Sequence, residues 1–389
     1  MRERNFETQL AGLVAGGNLR QLPTELPPGL VDFTSNDYLG LAADAGLRDR
    51  FFSGHDDPGS RLLSSSASRL LAGTQKAYSS LEKTIEESFL DAATASGAAM
   101  DHREAILFNS GYHANTGIIP TLASRGDLIL DDSLAHASII DGIRLSRADY
   151  RVFPHNDVVA LERLILQHLP SLGPSNRILV VVESVYSMDG DTAPLRELAA
   201  LRRRYPQVML YVDEAHAIGV RGPAGLGEVL AQGVAADTDV IVGTFGKALA
   251  SMGAFVLVSP VVKRFLVNKA RSLIFSTALP PLQVAWTETV WRHALGCDSL
   301  REALNLNARL LADIIPGAEP SHIRPLIVGD ARLTVELSRT LAKEGFNVLP
   351  IRTPTVPPGT ERLRFSLSAT VPPAEIRRLG SVLAASDKQ

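Results

Sequence analysis

Lys247 lies in Thr244-Phe245-Gly246-Lys247-Ala248, where the apolar run DVIVGTF breaks at glycine. Desolvation lowers a lysine pKa, and a neutral amine is what condenses with a carbonyl to a Schiff base. A lysine snorkelling to the surface from a strand end is the structural alternative. Asp213-Glu214-Ala215-His216 directly follows the apolar VMLYV, and open α/β sheets bind ligands at the carboxyl ends of their strands. An aspartate there could keep a ring nitrogen protonated, and His216 could donate to a ring oxygen. The plainer alternative is a helix N-cap followed by a loop histidine.

Asn109-Ser110-Gly111-Tyr112-His113 follows AILF and precedes a helical pattern, so its small residues let main-chain N–H groups meet an anion at a helix N-terminus. His136, in DSLAHASIIDG, can stack on a planar ring; a polar core or surface histidine is the commoner case. Near the carboxy end RLRFSLS alternates as a strand, which sets Arg362, Arg364, Ser366 and Ser368 on one face. Guanidinium there could take a carboxylate bidentately. A solvated edge strand carries the same pattern.

Other chemistries fit less well. DEAH also occurs in helicases, but Ile241 stands where a phosphate loop needs its first glycine, and Ala248 follows the lysine. His136, His155, Asp213 and His216 lack the i, i+4 pair of a helical zinc site, so no metal is expected. With 39 basic and 42 acidic side chains the formal charge is -3, which gives no net field for nucleic acid. Cys297 is the single cysteine and suits a reducing compartment. MRERNFETQL lacks the apolar core of a signal peptide, so a cytoplasmic location is expected. The stretch 240–262 has one charge, Lys247, yet its glycines and β-rich ends read as strand, turn, strand rather than as a membrane span.

These residues need elements to position them. AILFNSG, DLILDDS, RILVVVES, VMLYVDEAH, DVIVGTF and AFVLVS alternate with helical patterns such as NDVVALERLILQHLP and APLRELAALRRRYP. That alternation predicts βαβ units and a mainly parallel sheet. At about 150 residues per domain, 389 residues make two or three units, and 45% hydrophobic content is ample for a core. We divide the chain into an amino-terminal arm (1–50, including the Pro-rich QLPTELPPGL), a large domain (51–281) and a small α/β domain (282–389) that holds HIRPLIVG and RLRFSLSA. SRLL occurs at 60–63 and 68–71, too short a repeat to define an architecture.

The motifs FTSNDYLGLA, FNSGYHAN, LAHASIIDG, HNDVVALERLI, ESVYSMDGD, VDEAHAIGVRGPAGLG, TFGKALAS and IFSTALPP, in this order, resemble the pyridoxal-phosphate-dependent α-oxoamine synthases nearly end to end. The resemblance implies an aminotransferase-like α/β fold (fold-type I), pyridoxal 5′-phosphate as cofactor and a homodimer. By motif, Lys247 would hold the cofactor as a Schiff base and move protons at the substrate α carbon. Asp213 would pair with the ring nitrogen, His216 and Ser187 would address the ring hydroxyl, and His136 would stack on the ring. Gly111, Tyr112 and Thr244 would help hold the phosphate, with Ser276 and Thr277 reaching it across the dimer interface. Arg364, rather than Arg362, would bind the amino-acid carboxylate with Asn36 near it, and Ser368 and Arg20 would lie near the acyl substrate.

Several activities share this framework. IRPLIVGD (323–330) and IRTPTVPPGTERLRFSLSA (351–369) resemble the branch that joins L-alanine to a pimeloyl thioester, carried by coenzyme A or an acyl carrier protein, more than the 5-aminolevulinate, 2-amino-3-ketobutyrate or serine palmitoyl branches. The chain departs from the family between 59 and 78, where it has SSSAS in place of a glycine-rich stretch and Tyr78 in place of histidine. A catalytically silent metabolite-binding protein of the same fold is the rival from another class.

Overall fold

The computed structural model describes residues 4–20, 22, 29–54 and 62–386; most of QLPTELPPGL and the start of the first SRLL lie outside them. The chain opens with helix α1 (Arg4–Ala15) and the short strand β1 (Val31–Asp32). It divides into two compact units, one of residues 1–38, 187–191 and 302–389, the other of 39–186 and 192–301. This corrects the division at 50 and 282. β1 takes its main-chain partners from Phe346 and Asn347, so the opening residues belong with the carboxy-terminal unit and do not form a separate arm. The helix after the Pro280-Pro281 pair stays with the large unit, because Trp291 packs against Phe89, Phe245 and Phe255.

In the large unit, helices α2 (Ala45–Gly54) and α3 (Lys76–Ala95) precede a seven-stranded sheet. Its strands are β2 (Glu104–Phe108), β3 (Leu128–Asp132), β4 (Asp149–Phe153), β5 (Ile178–Glu183), β6 (Val208–Asp213), β7 (Val240–Thr244) and β8 (Ala254–Val258), in spatial order β2-β8-β7-β6-β5-β3-β4. β8 runs antiparallel to both neighbours and the other pairings are parallel. β5, ILVVVE, is buried along its length, as an unbroken apolar run in a sheet covered on both faces should be. β4, DYRVF, escaped the sequence reading because it is an edge strand with four exposed residues and no apolar run.

Helices α4 (Gly111–Leu122), α5 (Ala137–Leu145), α6 (Val158–His168), α7 (Leu195–Arg204), α8 (Glu228–Ala231), α9 (Pro260–Lys269), α10 (Arg271–Ile274) and α11 (Pro281–Leu295) connect and cover the strands. Ser110, His136, Asp157 and Ser259 accept first-turn N–H groups and so fix where four of them start. The 240–262 stretch is strand, turn, strand and the start of α9. Among the described residues no helix is long and apolar enough to cross a membrane.

Helix α12 (Asp298–Ile314) leads into the smaller unit, which continues with β9 (Ile323–Ile327), α13 (Ala331–Lys343), β10 (Phe346–Asn347), β11 (Leu349–Ile351), β12 (Arg362–Ser366) and α14 (Pro373–Ser386). β11-β12-β9 form an antiparallel sheet with β12 in the middle. The edge-strand alternative for RLRFS therefore fails: all five residues are buried. The strand stops at Ser366, so Ser368 lies beyond it.

Candidate active site

Parallel β3, β5 and β6 present their carboxyl ends at one edge of the sheet, and the last residues there are Asp132, Glu183 and Asp213, the last two level in register. Asp213 is buried and enters a turn, so the helix-cap alternative does not hold. Its Oδ2 accepts from Asn115 Nδ2 at 2.7 Å and its Oδ1 from the Ala215 N–H at 2.9 Å. Asn115 is held in turn: Tyr211 donates to its Oδ1, and its Nδ2 also reaches Ser138 Oγ at 2.9 Å. The Ser138 N–H donates to His136 Nδ1, and the Ser138 hydroxyl lies 2.7 Å from the same nitrogen. A network thus runs from β6 through α4 to the His136 ring.

Desolvation and the Lys247 ammonium depress the His136 pKa, against the Asp213 carboxylate, which raises it. Nδ1 is an acceptor, so the proton sits on Nε2. Glu183, which the sequence reading passed over, has a carboxyl pushed up to about 8 by burial and by the Asp213 charge. It sits inside ESVYSMDGD, but strand alternation cannot show that two carboxylates end side by side.

Lys247 is half-buried, on the turn after β7, and its Nζ lies 2.7 Å from Nε2 of the buried His216. The turn is fixed on several sides. Ala250 N–H donates to Lys247 O, Trp286 Nε1 donates to Ala250 O at 3.2 Å, and Gln283 donates to Ser251 Oγ at 2.8 Å. Ala250 takes a positive φ of 43°, which a non-glycine residue keeps only when its surroundings over-determine it. The amine is therefore aimed rather than trailing into solvent.

The Gly111 end of α4 lies against Thr244: a Cβ on Gly111 would stand 3.8 Å from the Thr244 Cβ. Ser110 Oγ accepts the His113 N–H, which leaves the Gly111 and Tyr112 N–H groups as the open donors of the first turn. The Tyr112 hydroxyl is committed elsewhere and donates to Asp141 at 2.7 Å, so only the main chain of Tyr112 can serve an anion. Ser276 and Thr277 follow α10, and Thr277 O accepts from Asn109 at 2.8 Å beside this helix end. Tyr78 donates to Leu279 O, and burial raises its pKa to about 12.

In the smaller unit Arg364 is buried and donates from Nε to Ser187 O at 2.6 Å and from both terminal nitrogens to Asn36 Oδ1 at 3.2 and 3.3 Å. Among the described residues no carboxylate pairs with it. Arg362 differs, being ion-paired with Asp189 at 2.6 Å. Arg20 bonds to Thr355 and Ser368 to Thr370, so neither is brought onto Arg364. Among the described residues no three His, Cys, Asp or Glu side chains are grouped to hold a metal.

The aminotransferase class I and II family pattern matches residues 28–383. A putative 8-amino-7-oxononanoate synthase of Pasteurella multocida is 46% identical, over 96% of this chain and 97% of its own length. The 8-amino-7-oxononanoate synthase of Haemophilus ducreyi is 43% identical, over 96% and 98%. The chain belongs to the 8-amino-7-oxononanoate synthase family. Solved structures agree: the fold is similar to a serine palmitoyltransferase from S. paucimobilis with bound PLP (TM-score 0.85, 29% identity, 100% of this chain and 98% of that one). It is also similar to the 8-amino-7-oxononanoate synthase of Francisella tularensis (TM-score 0.73, 26% identity, 93% and 99%).

As an 8-amino-7-oxononanoate synthase family member the chain is a pyridoxal-phosphate-dependent acyltransferase. Its own residues fit the cofactor: an aimed amine, a buried carboxylate that can hold a proton on a ring nitrogen, and open N–H donors beside a threonine hydroxyl.

Proposed function

We propose that this protein condenses L-alanine with a pimeloyl thioester to give 8-amino-7-oxononanoate, CO2 and the free thiol carrier, a step of biotin biosynthesis. The observation that carries the chemistry is the Lys247 amine, 2.7 Å from His216 on a turn whose main chain is fixed on several sides. The relatives at 43% and 46% identity support the choice of substrates.

Bound pyridoxal phosphate supplies an electron sink for the substrate α carbon. Lys247 Nζ would hold the cofactor aldehyde and would take and return the α proton of alanine, with His216 beside it at 2.7 Å. Asp213 keeps the proton on the ring nitrogen, fixed by Asn115. His136 would stack on the ring, and His216 and Ser187 would serve its hydroxyl. The Gly111 and Tyr112 N–H groups and Thr244 take the phosphate, with Ser276 and Thr277 of the second subunit of a homodimer. Arg364 binds the alanine carboxylate with the donors that Ser187 and Asn36 leave open. Ser368 and Arg20 serve the acyl substrate, presented on coenzyme A or an acyl carrier protein in the cytoplasm.

Mass spectrometry of the products from alanine, glycine and serine with pimeloyl and longer acyl thioesters tests this reading. Alanine with pimeloyl thioester should give the highest kcat/KM. The likeness to serine palmitoyltransferase favours a second reading, a synthase of serine and a long acyl thioester; faster turnover of that pair would replace the first.

A further inference from the structure

Three arginines of the smaller unit, Arg332, Arg339 and Arg352, have no part in the chemistry above and gather beside Arg20. Arg332 and Arg339 stand seven residues apart on α13 with Val335 and Glu336 between them, the i, i+3, i+4, i+7 spacing of one helix face. With Arg352 they line a cavity of about 340 Å³, within the roughly 300–1,000 Å³ of small-molecule sites. Arg20 stands close enough to Arg352 for its charge to add to the burial that depresses the Arg352 pKa.

The hydrogen bonds of these side chains go to neutral acceptors. Arg332 donates to Ala15 O at 2.6 Å, Arg352 to Gly17 O, and Arg20 to Thr355 Oγ1 at 2.7 Å. Among the described residues Arg339 has no side-chain hydrogen bond, and no carboxylate pairs with any of the four. Glu336, although on the same stripe, is not engaged. Carbonyls of the last residue of α1 and just beyond it offer partial negative charge, but each guanidinium keeps most of its five donors open. Like charges gathered in this way repel unless an anion completes the group.

We infer that this cavity binds the phosphate-rich nucleotide end of the thioester carrier. The inference rests on the proposed thioester substrate. A single carboxylate would neutralise one guanidinium. A phosphomonoester brings about -1.5 to -2 at neutral pH, and a diphosphate beside it adds more. Guanidinium forks match phosphate oxygens bidentately. A long flexible arm separates those phosphates from the thioester, so the site adds affinity that the chemical step does not need.

The test titrates holoenzyme with adenosine 3′,5′-bisphosphate by calorimetry and follows kinetics with pimeloyl-coenzyme A and with the phosphate-free N-acetylcysteamine thioester. In Arg332→Gln/Arg339→Gln, nucleotide affinity should fall at least about tenfold. KM for the coenzyme A thioester should rise in step, with kcat and KM for alanine unchanged and the phosphate-free thioester unaffected. Arg339→Gln alone, which removes no internal bond, should move in the same direction. Unchanged nucleotide affinity overturns the inference, as does an equal KM rise with the phosphate-free thioester or a response confined to a carrier-protein thioester. Arginine-dependent nucleotide binding in a protein that turns over no pimeloyl thioester would sink the proposed function and leave this site standing.

Discussion

Arg362 and Arg364, two residues apart on β12, have opposite surroundings. Arg362 is neutralised by Asp189, whereas Arg364 meets the neutral oxygens of Ser187, Asn36 and the Tyr38 hydroxyl and keeps its charge for a ligand. Charge-assisted bonds of about 1.5–3 kcal/mol imply that Arg364→Lys raises KM for alanine by about ten- to a hundredfold with little change in Tm. Arg362→Ala should instead cost about 1–3 kcal/mol in urea unfolding, below a fully buried pair because Asp189 keeps solvent contact. A larger KM effect at Arg362 would reverse the assignment. Alternation in the sequence placed both guanidiniums on one face, but the groups that set them apart, Asp189 for Arg362 and Ser187 and Asn36 for Arg364, are more than a hundred residues away and carried no local signal. Glu183 yields a second expectation. Its carboxyl holds its proton to about pH 8 in the folded chain, against about 4.5 for an unperturbed glutamate, so the unfolded chain loses that proton first and stability falls between those values as pH rises. The Tm of the apoprotein should therefore decline less from about pH 5 to about pH 8 in Glu183→Gln than in the wild type. Asp131, raised to about 7 by burial, slopes the same way in both proteins and cancels in the comparison. Identical slopes would show that Glu183 is not held protonated.

Between elements, the close approach of α4 and α5 sets the site. A Cβ on Gly142 would stand 2.7 Å from the main-chain oxygen of Asn115, the residue that holds Asp213. Gly142→Ala should push the helices apart at a cost of about 1–3 kcal/mol. It should also lower kcat, because Asn115 moves with α4; thermal unfolding and steady-state kinetics read the two effects, and full activity at unchanged Tm would contradict the coupling. The apolar strands β2, β3, β5, β6, β7 and β8 were legible because burial on both faces writes an unbroken run, and the helices because their apolar spacing ends at proline. β4 was not, since an exposed edge needs no such run. Nor was the pairing of β1 with β10, two residues long and more than three hundred positions apart, whose strength lies in main-chain bonds that no side chain records.

For the molecule as a whole, the order of eight short motifs identified the family where each alone would not, because a cofactor enzyme must bring the same groups to one sheet edge from distant strands. The division into units was less legible. It follows main-chain pairing and the Trp291 cluster, whereas composition changes at the Pro280-Pro281 pair. The proposed chemistry depends on one amine among the seven lysines of the sequence. Borohydride reduction of the intact holoenzyme, followed by peptide mapping, should place the reduced pyridoxyl group on Lys247 and abolish turnover. A pyridoxyl label on any other lysine, or full turnover by Lys247→Ala, would contradict it.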